Sequence, residues 1–403
     1  SLNFPSWDIS SVCHRLTDTR GLVSSPAMDI DRLRRTEFPV TERYIYLNHA
    51  AVAPVSVSVR RAMDQIVRDV TDHGIAHITQ WQDLVAVARR SAARLLGTRA
   101  SQIAFLKNTT DGLIAAALGV DWRSGDSVVI AEGEFPANVY PWLNLAERGV
   151  SIRWVPERGG RLLVDDFAAA IDSSTRVLSV SSVEFFSGFR NDLAALGELC
   201  RKRGVLFVVD AIQSLGALRI DVAALGIDCL AADGHKWLMG PEGCALFCTS
   251  SRALSQLCVA GLGWAGVRTA HDFLDYGMEL HEDARRFETG TQNTAGIAGL
   301  KAAIDLLLEI GMDTVEDRVL SLSQRLAEGL SARGYELLGS RRPGEASGIV
   351  AFRADGMPST EVARALTAAT VQLTQRAGTV RLSPHAYNTE DEIDSVLAAL
   401  PQL

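Results

Sequence analysis

The feature that most constrains this chain is a repeating alternation of short apolar runs with amphipathic stretches, several of which close on glycine. QIAFLKN (102–108), DSVVIAE (126–132), SIRWVPE (151–157), TRVLSVSSVEF (175–185), VLFVVDA (205–211), DCLAADG (228–234) and CALFCTS (244–250) read as strands. TTDGLIAAALGV, NVYPWLNLAERG, LLVDDFAAAI and NDLAALGELCRKRG lie between the earlier ones and read as helices. Strands rich in Val, Ile, Leu and Phe, separated by amphipathic helices, belong to a mostly parallel sheet covered on both faces. The expected class is therefore α/β. Ligands of such sheets sit beyond the carboxyl ends of the strands, so the loops that follow them are where chemistry is sought.

At 403 residues the chain exceeds the size at which a single core stops growing, and its texture changes along its length. Residues 1–27 show no sustained period and read as an N-terminal extension or linker. Residues 28–57 form an N-terminal segment, and 58–293 a large domain that opens with a mostly helical stretch from Ser58 to Leu96. From 294 to 403 two helices (Ala295–Ile310 and around Val319–Ala332) precede the short strands GIVAFRA and TVRLSP, which reads as a small C-terminal α+β domain.

Charge and composition remove several functional classes. Forty Lys and Arg against 48 Asp and Glu leave a formal charge of −8, which argues against a nucleic-acid surface as the main business. No apolar run approaches the roughly 20 residues of a membrane span, and the first residues lack a cationic segment followed by an apolar one, so a cytoplasmic location is expected. The six cysteines form neither a disulfide framework nor a CxxC pair, and no metal site is assigned.

The strongest local signal is ADGHKWLMGPEG, residues 232–243, where Lys236 follows a strand and is set among glycines. A lysine that attacks a carbonyl needs a lowered pKa and a backbone that admits a flat ligand, and such a position supplies both. Upstream, VLFVVD ends in Asp210, a carboxylate able to pair with a protonated pyridine nitrogen or to cap the following turn. NTTDG (108–112) places hydroxyls and free N–H groups at a helix start, a cradle for phosphate or an ordinary Thr cap. The order is phosphate cup, acid, lysine, each at a strand end.

On these motifs, from YIYLNHAAVAP (44–54) to AYNTEDEID (386–394), the chain resembles fold-type-I pyridoxal-phosphate enzymes of the class V aminotransferase superfamily, in the cysteine desulfurase-like group. The resemblance implies an aspartate aminotransferase-like architecture. Its large cofactor domain has a mostly parallel, seven-stranded-type sheet sandwiched by helices, and a smaller α+β domain follows. It implies pyridoxal 5′-phosphate as cofactor, Lys236 as Schiff-base lysine and mover of the Cα proton, Asp210 on the pyridine nitrogen and Gln213 on the ring hydroxyl. Thr109, Thr110 and His235 are implied on the phosphate, and Phe135 stacked on the ring. Thr291 is implied to reach the phosphate of a neighbouring subunit, hence a homodimer with shared sites. Arg381 matches the arginine that clamps a substrate carboxylate, and Asn48, His49, Ala50 and Ala51 fall where the family lines its substrate pocket.

The departures bear on the reaction. Desulfurases carry a nucleophilic cysteine shortly before that arginine, whereas this chain has no cysteine after Cys258 and VQLTQRAGTVRLSP looks shortened there. Glu184 or Phe185 takes the place of an asparagine near the ring hydroxyl, Asp233 stands where a phosphate-binding serine is common, and Gly263, Trp264 and His281 are candidates for the pocket rim. The expected reaction is β-elimination by a C–S lyase on cysteine or a cysteine S-conjugate, without persulfide-forming desulfurase activity. A class V aminotransferase is the alternative and an epimerase a third reading. A binding-only role is disfavoured because such a module needs neither a proton-moving lysine nor a carboxylate clamp.

Overall fold

The structure is a computed structural model describing residues 29–403; the extension expected over 1–27, with Cys13, lies outside the described residues. In chain order its strands are β1 (Ile45–Tyr46), β2 (Ile103–Leu106), β3 (Ser127–Ala131), β4 (Ser151–Val155), β5 (Thr175–Ser181), β6 (Leu206–Asp210), β7 (Cys229–Asp233), β8 (Ala245–Thr249), β9 (Glu336–Leu337), β10 (Val350–Arg353), β11 (Val371–Gln372), β12 (Thr374–Arg376) and β13 (Thr379–Leu382). All seven apolar runs join one sheet, ordered β2–β8–β7–β6–β5–β3–β4. From β7 through β4 every pairing is parallel, while β8 runs against both β7 and β2. The reversal has a local cause. The loop from Gly234 to Cys244 contains no crossover helix, so β8 can only return alongside β7.

Every residue of β3, β6, β7 and β8 is buried, as expected of strands covered on both faces. One face packs Val129, Leu178, Val209 and Leu230 into the main core with the helices Ile78–Leu95, Leu193–Arg203 and Thr294–Ile310. The other face packs Val128, Val177, Val208 and Phe247 against Leu113, Ala116 and Trp142. The expected helix 138–149 is reduced to the single turn Tyr140–Leu143 between 3₁₀ turns, where Pro141 can donate no backbone hydrogen bond. The stretch 58–96 is two helices, Val57–His73 and Ile78–Leu95, parted at Gly74 with φ 58°.

A second core gathers Leu322, Leu326, Leu330, Phe352, Val380 and Ile393 beneath the antiparallel sheet β12–β13–β10–β9. The helix Thr294–Ile310 lies in the main core through Ile297, Leu300, Ile304 and Leu307, so the separate core begins after the expected division at 294. The N-terminal segment belongs to both: β1 pairs in parallel with β11, and Leu47 enters the second core. Among the described residues no helix is long and apolar enough to cross a membrane.

Candidate active site

Four strand ends supply the site. β6 ends on Asp210; β7 ends on Asp233 and runs into Gly234, His235 and Lys236; β3 leads to Glu134 and Phe135; β5 leads to Glu184 and Phe185. Parallel strands present their carboxyl ends along one edge, which is why residues far apart in sequence converge there. The helix Thr109–Gly119 begins at the same edge, after β2.

The lysine loop is gripped from several sides. Gly234 N–H donates to the Cys244 carbonyl at 3.0 Å, and Gly240 N–H to the Gly234 carbonyl at 2.8 Å. Ala53 N–H donates to the His235 carbonyl at 2.8 Å, and a His385 ring nitrogen lies 3.0 Å from the Trp237 carbonyl. Fully buried Trp237 donates its indole N–H to Gln213 Oε1 at 3.0 Å, and Gln213 Nε2 donates to the Ala50 carbonyl at 3.1 Å. Gln213 therefore keeps only one amide proton for a ligand. Gly216, at φ 102°, approaches so closely that an added Cβ would stand 2.4 Å from the Trp237 carbonyl oxygen.

Burial sets the electrostatics. It lowers the Lys236 ammonium to about 8, against the opposing pull of Asp210. Burial raises Asp210 to about 6, partly offset by the Ile212 N–H, which donates to Oδ1 at 3.0 Å, and by Lys236. Phe135 sits with its ring centroid 5.6 Å from Lys236 Nζ and meets Phe185 edge-on at 5.2 Å. Arg381, 7% exposed, donates from Nη1 to the Phe185 carbonyl at 2.7 Å, leaves Nε buried without a partner, and is lowered to about 10 by burial and by Arg376.

The phosphate end is also explicit. Asn108, not a threonine, caps the helix by accepting from Asp111 N–H at 2.9 Å. That frees Thr109 and Thr110 from capping. The Thr109 hydroxyl oxygen accepts from Asp233 N–H at 2.9 Å, which leaves its proton to donate. Asp233 accepts from Gly234 N–H at 2.7 Å and lies 3.1 Å from His235 Nδ1, which is close enough for attraction but makes no hydrogen bond. The carboxylate is thus engaged by its own loop.

Some expected residues stand elsewhere. His49 is wholly buried, with Nδ1 2.8 Å from the Ser383 carbonyl and Nε2 2.8 Å from the Tyr387 hydroxyl, so it braces the junction of the two cores instead of lining a pocket. Asn48 accepts from the Thr374 hydroxyl at 2.7 Å, and half-buried Ala51 donates to the Asn48 carbonyl at 3.0 Å in the turn that follows. Thr291, expected to face a neighbouring subunit, is exposed in a groove of about 350 Å³ shared with Lys107, Asp111 and Gly243. Trp264 and His281 line a third groove with Trp81 and Arg285, and Gly263 is demanded by a Cβ position 1.7 Å from the Thr289 carbonyl oxygen.

Two buried acids stand at these strand ends: Glu134, which sequence reasoning missed, and Glu184, which it had put forward as the alternative to Phe185. Glu134 receives Ser181 N–H at 2.6 Å and the Ser181 hydroxyl at 2.5 Å, and burial raises it to about 7. Glu184 receives Asn191 Nδ2 at 2.8 Å, has Oε2 buried without a partner, and is pushed well above the carboxylate range by burial and by Glu134. Phe185, for its part, offers the carbonyl that holds Arg381. An acid beside an apolar strand end, as in EGEF, was the available signal.

These groups fit pyridoxal phosphate. A lowered amine, an acid beneath it, an aromatic face and a donating hydroxyl at a helix start match its aldehyde, pyridine nitrogen, ring and phosphate in turn. The unpartnered Arg381 Nε fits an incoming carboxylate.

Comparison with known proteins agrees. The aminotransferase class-V family pattern matches residues 45–396. A probable cysteine desulfurase of Methanothermobacter thermautotrophicus is 30% identical over 92% of this chain and 97% of its own length. An uncharacterized aminotransferase of Bacillus subtilis, YcbU, is 27% identical over 89% and 94%. An apo cysteine desulfurase structure from Thermococcus onnurineus superposes with a TM-score of 0.84 at 26% identity, covering 91% of this chain and 96% of that one. A C-DES variant with glycine covalently linked to its pyridoxal phosphate shares the fold, with a TM-score of 0.83 at 24% identity over 91% and 98%.

These relatives correct the expected reaction. A C–S lyase that excludes desulfurase activity does not stand against relatives named cysteine desulfurase over nearly the whole chain. The reasoning failed because it took one missing thiol as decisive, although an acceptor thiol need not come from that loop. The aminotransferase alternative agrees better with the family and with YcbU.

Proposed function

The chain belongs to the class V aminotransferase family, with pyridoxal 5′-phosphate as cofactor, and from that premise we propose that it is a transferase acting on a small α-amino acid. Bound pyridoxal phosphate supplies an electron sink for the charge left at Cα when its proton departs. What supports the proposal is a buried Lys236 with both Asp210 and Arg381 within charge–charge reach of it. Arg381 holds the α-carboxylate, Phe185 fixes Arg381 through its carbonyl, and Phe135 offers an aromatic face beside Lys236. Lys236, lowered to about 8, is neutral in roughly a tenth of molecules at pH 7 and so can take the Cα proton. Asp210 stays charged beside the pyridine nitrogen and favours its protonated form.

Amino-group transfer is the first reading, because it asks nothing more of the chain than a movable proton and a carboxylate clamp. Desulfuration of cysteine is the second, supported by the names of the relatives. It needs a thiol acceptor, and the described cysteines lie badly for that. Cys200, Cys229, Cys244 and Cys248 are buried, and exposed Cys258 bonds to Gly119, at the opposite end of the helix from Thr109. The acceptor of that reading is a thiol outside the described residues or on another molecule.

A homodimer belongs to the same proposal, with exposed Thr291 reaching the partner's phosphate. Cytoplasmic residence does too, supported by five unpaired cysteines among the described residues, which suit a reducing compartment. The test is a single turnover of cofactor-loaded protein with alanine, glutamate and cysteine in turn, following products and cofactor form together. Pyridoxamine phosphate with the matching keto acid establishes amino-group transfer. Alanine from cysteine, with one persulfide formed on the acceptor thiol and sulfide released only when an external thiol reductant is added, establishes desulfuration. An unchanged cofactor with a broad panel of amino acids would overturn both.

A further inference from the structure

A second constellation lies at the corner between the helices Val57–His73 and Ile78–Leu95, where sequence reasoning assigned no metal. Asp69 sits in the last turns of the first helix, His73 one turn further on, and Gly74 at φ 58° turns the chain so that His77 returns over the same carboxylate. His73 Nδ1 lies 3.1 Å and His77 Nδ1 2.7 Å from Asp69 Oδ1, and one ligand atom from each residue falls within 4.8 Å of the other two. The imidazole centroids are 4.7 Å apart. Asp69 is buried while both rings reach solvent.

We propose that Asp69, His73 and His77 form a binding site for a divalent transition-metal ion of the zinc type, with the fourth position left to water. Tetrahedral coordination at about 2.0–2.1 Å places ligand atoms roughly 3.3 Å apart, near the 3.1 and 2.7 Å that already separate the two imidazole nitrogens from Asp69 Oδ1. Two nitrogen donors and one carboxylate select zinc and its neighbours over magnesium or calcium. Asp69 Oδ2 is held by the Trp81 indole N–H at 2.7 Å, the kind of outer hydrogen bond that orients a ligating carboxylate. The site also lies at the carboxyl end of a 17-residue helix, where free carbonyls favour a cation. Arg60, Arg61 and Arg68 share the adjoining groove with Asp64 and Asp72, so general acidity does not hold the ion and the imidazoles must. Bound metal would staple the two helices at their corner.

The experiment is titration of chelator-stripped holoenzyme with Zn²⁺, by calorimetry and against a chromophoric chelator, and with Co²⁺ for its visible spectrum. One equivalent per chain is expected, with a tetrahedral cobalt band, and it should disappear in His73→Ala/His77→Ala. Trp81→Phe should weaken binding by about 10–100-fold through loss of the outer hydrogen bond. Cys258→Ser removes the exposed thiol and should leave the stoichiometry unchanged. Should the double variant fold poorly, the cobalt spectrum of the wild type still decides. No metal-dependent band, no bound equivalent, or an equivalent that survives loss of both histidines would overturn the proposal and leave a hydrogen-bonded cluster only.

Discussion

Arg381→Ala tests the reading of the site most directly, and its size can be worked from the hydrogen-bond inventory. A guanidinium has five N–H donors. One from Nη1 goes to the Phe185 carbonyl at 2.7 Å, and Nε is buried with no partner. A substrate carboxylate meeting the Nε edge would gain two charge-assisted bonds of about 1.5–3 kcal/mol each, so about 3–6 kcal/mol in all. At about 1.4 kcal/mol per factor of ten, kcat/KM should fall by roughly 10²–10⁴. Arg381→Lys keeps the charge but not the fork, and should lie nearer to Ala than to wild type. The assay is steady-state kinetics on the substrate found by single turnover, with cofactor content measured in parallel. The loss should appear chiefly in KM with cofactor retained. A kcat/KM within about threefold of wild type would refute the reasoning and place the carboxylate elsewhere.

Other outcomes follow from the same geometry. Cofactor uptake by apo-protein should accelerate as pH rises through about 8, since only the neutral Lys236 amine attacks the aldehyde, and borohydride should trap no cofactor on Lys236→Ala. Glu134, raised from 4.5 to about 7, retains its proton in the folded state over a window where the unfolded chain has lost it. Stability of the apo-protein from this group should therefore fall as pH climbs between those values, and Glu134→Gln should flatten that slope in denaturation midpoints. Gly216→Ala meets both a left-handed backbone and a Cβ 2.4 Å from the Trp237 carbonyl oxygen; strain of about 1–3 kcal/mol beside Lys236 should show as weakened cofactor retention.

What the sequence made legible was whatever depends on neighbours in the chain. The strands of the large sheet announced themselves as apolar runs, most plainly the fully buried β3, β6, β7 and β8, and Asp210 and Lys236 were found because each closes or follows such a run. The reversed direction of β8 was passed over, although the short stretch from Gly234 to Cys244, with no room for a crossover helix, carried the signal. His49 misled because its partners Ser383 and Tyr387 lie more than three hundred residues away. Glu134 was passed over since its protonation depends on Ser181 and on burial that only the assembled sheet provides. The capping role went to Asn108 because its side chain, rather than that of a threonine, reaches the Asp111 N–H. The reaction was least legible of all, because the absence of one cysteine was allowed to outweigh a likeness to desulfurases that runs along nearly the whole chain.

The two carbonyls that flank Lys236 have a consequence for the birth of the protein. One accepts from Ala53, the other is met by His385, so the peptide carrying the lysine is clasped by segments from distant parts of the chain. During synthesis the large sheet can form long before residue 385 has left the ribosome, yet the lysine loop cannot reach its final pose until then. Capture of the cofactor would then act as a checkpoint on translation, one that truncated chains fail even when most of their fold is in place.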